Sequence, residues 1–112
     1  MATYSLKKFI PVTTLGISST TLYTVIAPAT AATVKQILLT NYSSSAATVT
    51  VNFVPSGGSV GTTNVIISGL SISANSTITF DITQVLNVGD FIAASSSIAS
   101  SINIAASGYE VV

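Results

Sequence analysis

Histidine, cysteine and tryptophan are absent from this 112-residue chain, and arginine does not occur either. Charge is equally scarce: three lysines and three acids make up 5% of the residues, against about 25% in an average soluble domain. Without cysteine there are no disulfides, no thiol nucleophile and no thiolate metal site, and the redox compartment is left open. Without histidine or cysteine, a serine nucleophile has no base to activate it. Serines abound, yet the "SGGS" around Ser56 has no activating group nearby. Asp81, Asp90 and Glu110 could serve as an acid-base pair only if their strand ends met in space. The expectation is a protein that is not an enzyme and uses no cofactor.

The few charges exclude further classes. Lys7 and Lys8 are adjacent, Lys35 is the third, and three lysines make no basic face for phosphates, so no nucleic-acid partner is expected. A formal net charge of zero leaves nothing to keep copies apart and favours association. Hydrophobic residues reach 48%, but Ser, Thr or Asn interrupts every apolar run before the roughly 18 residues of a membrane span, so no membrane partner is expected. At the start, Lys7 and Lys8 precede "FIPV", but Pro11 and Thr13 break the stretch before it becomes a signal-peptide core. Synthesis and use without Sec export is the expectation.

What the chain does have is alternation with period two, the pattern of a half-buried strand. In "ATVTVNFV", Val49, Val51 and Phe53 fall on one face and Thr48, Thr50 and Asn52 on the other. "STITFDI" places Ile78, Phe80 and Ile82 inward and Thr77, Thr79 and Asp81 outward. "SINIAASGYEVV" continues through Ile102 and Ile104, then through Tyr109 and Val111 after a phase change at Ser107 and Gly108 that reads as a bulge or tight turn. Further strands are expected over Thr21 to Ile26, Val34 to Asn41, Asn64 to Ser68 and Phe91 to Ser95. "TVKQILLTN" is more continuously apolar and reads as a central strand covered on both sides.

Breakers separate these runs: "APATA", "NYSSSA", "PSGGSVG", "SISANS" and "NVGD". In "LNVGD", Gly89 can take positive φ while Asn87 and Asp90 bond local backbone donors, which explains the rare acid before "FIAAS" as a turn device. A weak calcium site from Asn87, Asp90 and Asp81 is the competing reading, but no EF-hand spacing accompanies it, and no metal is expected. The sequon matches Asn41-Tyr42-Ser43 and Asn75-Ser76-Thr77 are discounted as chance in a Ser- and Thr-rich chain. Helical periodicity is weak. The fold class is therefore all-β: an antiparallel, jelly-roll-like β-sandwich of about eight strands. It occupies residues 18–112 as one domain, after an N-terminal arm over residues 1–17.

The arm carries Lys7, Lys8, Phe9 and Ile10 with no evident strand partner, so it either lies as an edge strand or tail on its own domain or reaches a neighbouring subunit. Of the four tyrosines, Tyr4, Tyr23, Tyr42 and Tyr109, each offers an apolar body and a polar tip suited to an interface, and each also fits a strand-end or core position. The interface candidates are Lys7, Lys8, Phe9, Ile10, Tyr23, Tyr42 and Tyr109.

Three segments carry a wider likeness: "TTLYTVIAPATAATVKQILLTNYSSSAATVTVNFV", "ITFDITQVLNVGDFIAASSS" and "INIAASGYEVV". Over roughly residues 21–112, the chain resembles small bacteriophage virion proteins, with their "LYTVP"-like strand, "VKxILLTN" strand, "TVTV" strand, late "GD" turn and closing "SGxEV". It departs in having Ile26 and Ala27 before Pro28 and in carrying fewer charges. The resemblance implies a non-enzymatic β-sandwich or jelly-roll virion component. The leading expectation is a capsid decoration protein that clamps the assembled lattice. Its partners would be itself, as a homotrimer or other homo-oligomer, and the major capsid protein. Its location would be the virion, assembled in the host cytoplasm. A tail, baseplate or fibre protein is the alternative, and a carbohydrate-binding β-sandwich using Tyr23, Tyr42 and Tyr109 is the second.

Overall fold

The computed structural model describes residues 3–112. Eight strands run in chain order: β1 (Tyr4–Thr14), β2 (Thr20–Thr24), β3 (Ala31–Asn41), β4 (Ala47–Val54), β5 (Val65–Ile72), β6 (Ser76–Asn87), β7 (Phe91–Ser96) and β8 (Ile102–Val111). They form two antiparallel sheets, β1-β8-β3-β6 and β2-β7-β4-β5. Each strand pairs with the one it would face if the chain were a long hairpin bent between β4 and β5: β1 with β8, β2 with β7, β3 with β6, β4 with β5. Winding that hairpin into two layers adds the β3–β8 and β4–β7 pairings and gives a jelly roll.

Alternation decides which side chains fill the space between the layers. Ile37 and Leu39 of β3, Val49 and Val51 of β4, Ile92 of β7, and Ile102 and Ile104 of β8 are all at most 1% exposed. Each such aliphatic side chain contributes about 1.5–3 kcal/mol by leaving water. Ile78, Phe80 and Ile82 take the inward positions of β6 but stay half-buried, because β6 is an edge strand.

Of the two readings of the N-terminal residues, the structure has the edge strand on its own domain: they form β1, paired along its length with β8 of the same chain. Phe9 and Ile10 are 4% and 1% exposed and belong to the core. Register shifts between Lys8 and Ile10 and between Ile10 and Thr13 break the period-two pattern. That irregularity hides the strand in the sequence.

Two further expectations are corrected. β3 is central within its sheet but covered on one face only: Lys35 and Gln36 are exposed, and Leu38 and Thr40 are half-buried. β8 has no phase change. Ile102, Ile104, Ala106 and Gly108 are all buried, so Tyr109 points outward. The extra residues lie instead in its neighbours: Phe9 of β1, opposite the step from Ala106 to Ser107, and Lys35 of β3, opposite the step from Ser107 to Gly108. Gly108 makes room for them: a Cβ there would overlap the Thr33 carbonyl and come within 2.9 Å of Phe9 Cε2 and 3.0 Å of the Lys35 nitrogen. Asn52, expected on the outer face of β4, does point away from the core but is only 3% exposed. Its Nδ2 donates to the Gly61 carbonyl at 3.0 Å and to Asn64 Oδ1 at 2.8 Å, drawing the β4–β5 loop over that face.

The "LNVGD" turn forms through Asp90. Asp90 Oδ2 accepts from the Asn87 N–H at 2.9 Å and Oδ1 accepts from the Ser56 N–H at 2.9 Å, joining two loops. Gly89 has φ of 90°, and a Cβ there would meet Ser56. Asn41, in the first sequon match, is fully buried. Its Nδ2 donates to the Ser45 and Ile72 carbonyls and its Oδ1 accepts from Ser43, so its amide is committed to closing the β3–β4 turn.

Candidate functional site

The outer face of the β1-β8-β3-β6 sheet brings lysines and exposed apolar side chains together. β1 places Leu6 and Lys8 outward, β8 Ser107 and Tyr109, and β3 Lys35 and Leu38. The bulges around Gly108 sink a groove of about 470 Å³ into this face, lined by Leu6, Lys7, Lys8, Lys35, Ser107, Gly108 and Tyr109. All three lysines of the chain line it, and no acid does. Lys35 Nζ donates to Thr83 Oγ1 at 2.9 Å, which lays its stem across toward β6. On the same face, Tyr4, Leu6, Val12 and Val85 are 72%, 80%, 72% and 53% exposed.

Of the sequence candidates, Lys7, Lys8 and Tyr109 meet in this groove. Phe9 and Ile10 lie beneath it, in the core. Tyr23 reaches the same end of the molecule from the other sheet. Its ring packs on Phe9 with centroids 4.7 Å apart and planes tilted by 42°. Its hydroxyl donates to Glu110 Oε2 at 2.9 Å. Burial, then the hydrogen bond and charge of Glu110, raise the Tyr23 pKa above tyrosine's ordinary range. Lys7 Nζ stands 4.0 Å from the same carboxylate oxygen. Phe9, Tyr23 and Glu110 therefore form a seam that ties the two sheets together, and Tyr23 is spent inside its own chain. Tyr42 is exposed but lies past the opposite end of β3, beside Ser101. The tyrosines do not form one platform.

Leu6, Val12 and Val85 were not singled out from the sequence. Leu6 alternates with Tyr4 and Lys8 in "TYSLKK", and Val85 sits in "TQVLN"; each reads as a core residue until the sheet edge is known. No group of three or more Asp, Glu, His or Cys stands together among the described residues. Asp81 lies on β6 beside Gln36, and Asp90 is taken up by its turn. Among the described residues no helix is long and apolar enough to cross a membrane.

In sequence the chain matches no family model and no curated protein. In structure it is similar to a chain of infectious bursal disease virus, Gx strain, with a TM-score of 0.56 and 9% identity over 100% of this chain. The match spans 32% of that viral chain. At that identity the likeness is one of fold, the two-sheet sandwich described above.

Proposed function

We propose that this protein is a non-enzymatic structural subunit of a bacteriophage virion, a decoration protein that binds the assembled capsid lattice. One observation carries the reading: a jelly-roll domain with almost no charge leaves one sheet face open, and that face presents Tyr4, Leu6, Val12, Val85 and Tyr109 exposed beside all three lysines. Jelly rolls recur in viral capsid domains, and the sandwich is shared with a chain of a virus structure. The resemblance to small phage virion proteins points the same way.

The mechanism is mass action. A subunit that binds only the assembled lattice stabilises that lattice, and each Å² of apolar surface removed from water contributes about 25 cal/mol. The partners are further copies of this chain, as a trimer or another closed oligomer, and the major capsid protein. The site of action is the particle, assembled in the host cytoplasm. A carbohydrate-binding role fits less well, because Tyr23 is tied to Glu110 and Phe9, and Tyr42 and Tyr109 lie at different ends of the sheet.

Gold-labelled antibody on purified virions, with heads and tails on one grid, tests this. Label over the heads is the expected result. Label confined to tails moves the protein to a tail, baseplate or fibre role, and absence from both overturns the virion assignment.

A further inference from the structure

The sheet β1-β8-β3-β6 ends in two free edges, β1 with 11 residues and β6 with 12. Long edges invite pairing with another chain unless they are blunted. The register shows what each edge presents in every row. Leu6 pairs with Tyr109, Tyr109 with Thr33, and Thr33 with Val85, so Leu6 and Val85 end one row, both exposed. Lys8 pairs with Ser107, Ser107 with Gln36, and Gln36 with Asp81, so Lys8 and Asp81 end another. In these two rows the edges match, apolar with apolar and positive with negative, while the row that begins at Tyr4 ends at Asn87. The strand senses match as well. All neighbours in this sheet are antiparallel, so β6 of one copy set beside β1 of the next continues the alternation.

We propose that these edges pair between copies, β6 of one chain against β1 of the next, with Leu6 facing Val85 and Lys8 close to Asp81 across the new boundary. The occupant of each edge is a second copy of this chain, and the complementarity of the edges identifies it. The contact is head to tail, so it closes into a ring when the rotation between copies divides a full turn. Pairing runs over Tyr4 to Lys8, because Pro11 has no N–H for a ladder beyond them. The inference deepens the assembly reading and rests on it in taking self-association as the task.

The chain contains no cysteine, so introduced thiols report one contact each. Leu6→Cys and Val85→Cys variants of the full chain are purified separately, then oxidised alone and mixed. Within one molecule these positions are three strand spacings, about 14 Å, apart, too far for a disulfide, which requires Cα atoms within about 7 Å. The expected result is a covalent dimer from the mixture and none from either variant alone. Equal dimer from one variant alone, meaning like edges pair, or no dimer from the mixture, overturns the proposal. Charge reversal gives an independent readout. Lys8→Asp and Asp81→Lys each weaken association about two- to fivefold at low salt, and the double variant restores it; a double variant no better than the singles counts against the pairing. Label on virions without cross-linking defeats this edge contact and leaves the virion role standing, while cross-linking without label does the reverse.

Discussion

The two sheets of this sandwich differ in what they do with their outer faces. In β1-β8-β3-β6 the strands are 10 to 12 residues long and carry Lys7, Lys8, Lys35, Asp81 and Glu110, leaving only Asp90 elsewhere. In β2-β7-β4-β5 the strands are 5 to 8 residues long and carry no charge. Asn52, Val54 and Ala93 point outward from the second sheet yet are buried. The loop after β4 folds back over them, with the Asn64 carbonyl accepting from the Phe53 N–H at 3.1 Å. The centre of the second sheet thus has its own cover, while residues of its edge strands β2 and β5 stay exposed. The first has none, and its residues suit another surface. In a chain this poor in charge, the placement of the few charges marks the contact side better than their number does.

The strongest way to break the difference is Gly108→Val. The bulges that sink the groove exist because β3 and Phe9 press onto a residue without a side chain. The expected cost is about 3 kcal/mol or more by chemical denaturation. At Gly16, where an added Cβ would meet nothing within 4 Å, alanine is expected to change stability by less than about 0.5 kcal/mol. Next in size, Asn52→Ala frees the loop covering the second sheet by removing the bonds to the Gly61 carbonyl and Asn64 Oδ1 that hold it to β4. A loss of about 2 kcal/mol is expected, with faster amide exchange confined to residues 55–64.

Tyr23→Phe weakens the seam between the sheets by about 1 kcal/mol and changes the alkaline limb of stability. The fold raises the Tyr23 pKa, so its neutral form is favoured. Stability from this hydroxyl is intact below about pH 10, tyrosine's ordinary value, and is lost as pH rises beyond it. The phenylalanine variant should show a shallower alkaline decline in denaturation midpoint. Smallest of all, Lys7→Ala removes a 4.0 Å contact at a half-exposed lysine and should shift stability by less than about 0.5 kcal/mol. An effect above that would mean that Lys7 organises the groove.

The sequence announced seven of these strands because their inward residues are regular: Val49, Val51 and Phe53, or Ile102 and Ile104, need no context to be read. β1 was legible only as one of two readings because a bulge places Phe9 and Ile10 side by side, and bulges are set by the strands on either side. Gly108 misled for the same reason. A glycine in a strand signals an irregularity, but here the irregularity belongs to the neighbours that close over it. The burial of Asn52 was not legible because its loop partners, Gly61 and Asn64, follow it by nine and twelve positions without any period. The contact face was only partly legible: Lys7, Lys8 and Tyr109 stood out by type, while Leu6 and Val85 gain meaning only as the two ends of one row.

The most direct test of the open-sheet account is amide hydrogen exchange on the dilute protein and on the protein within purified particles. Slowed exchange concentrated in residues 4–14 and 76–87, with 20–24 and 65–72 unchanged, is the predicted result. Slowing confined to those last two segments, the edges of the covered sheet, would contradict it.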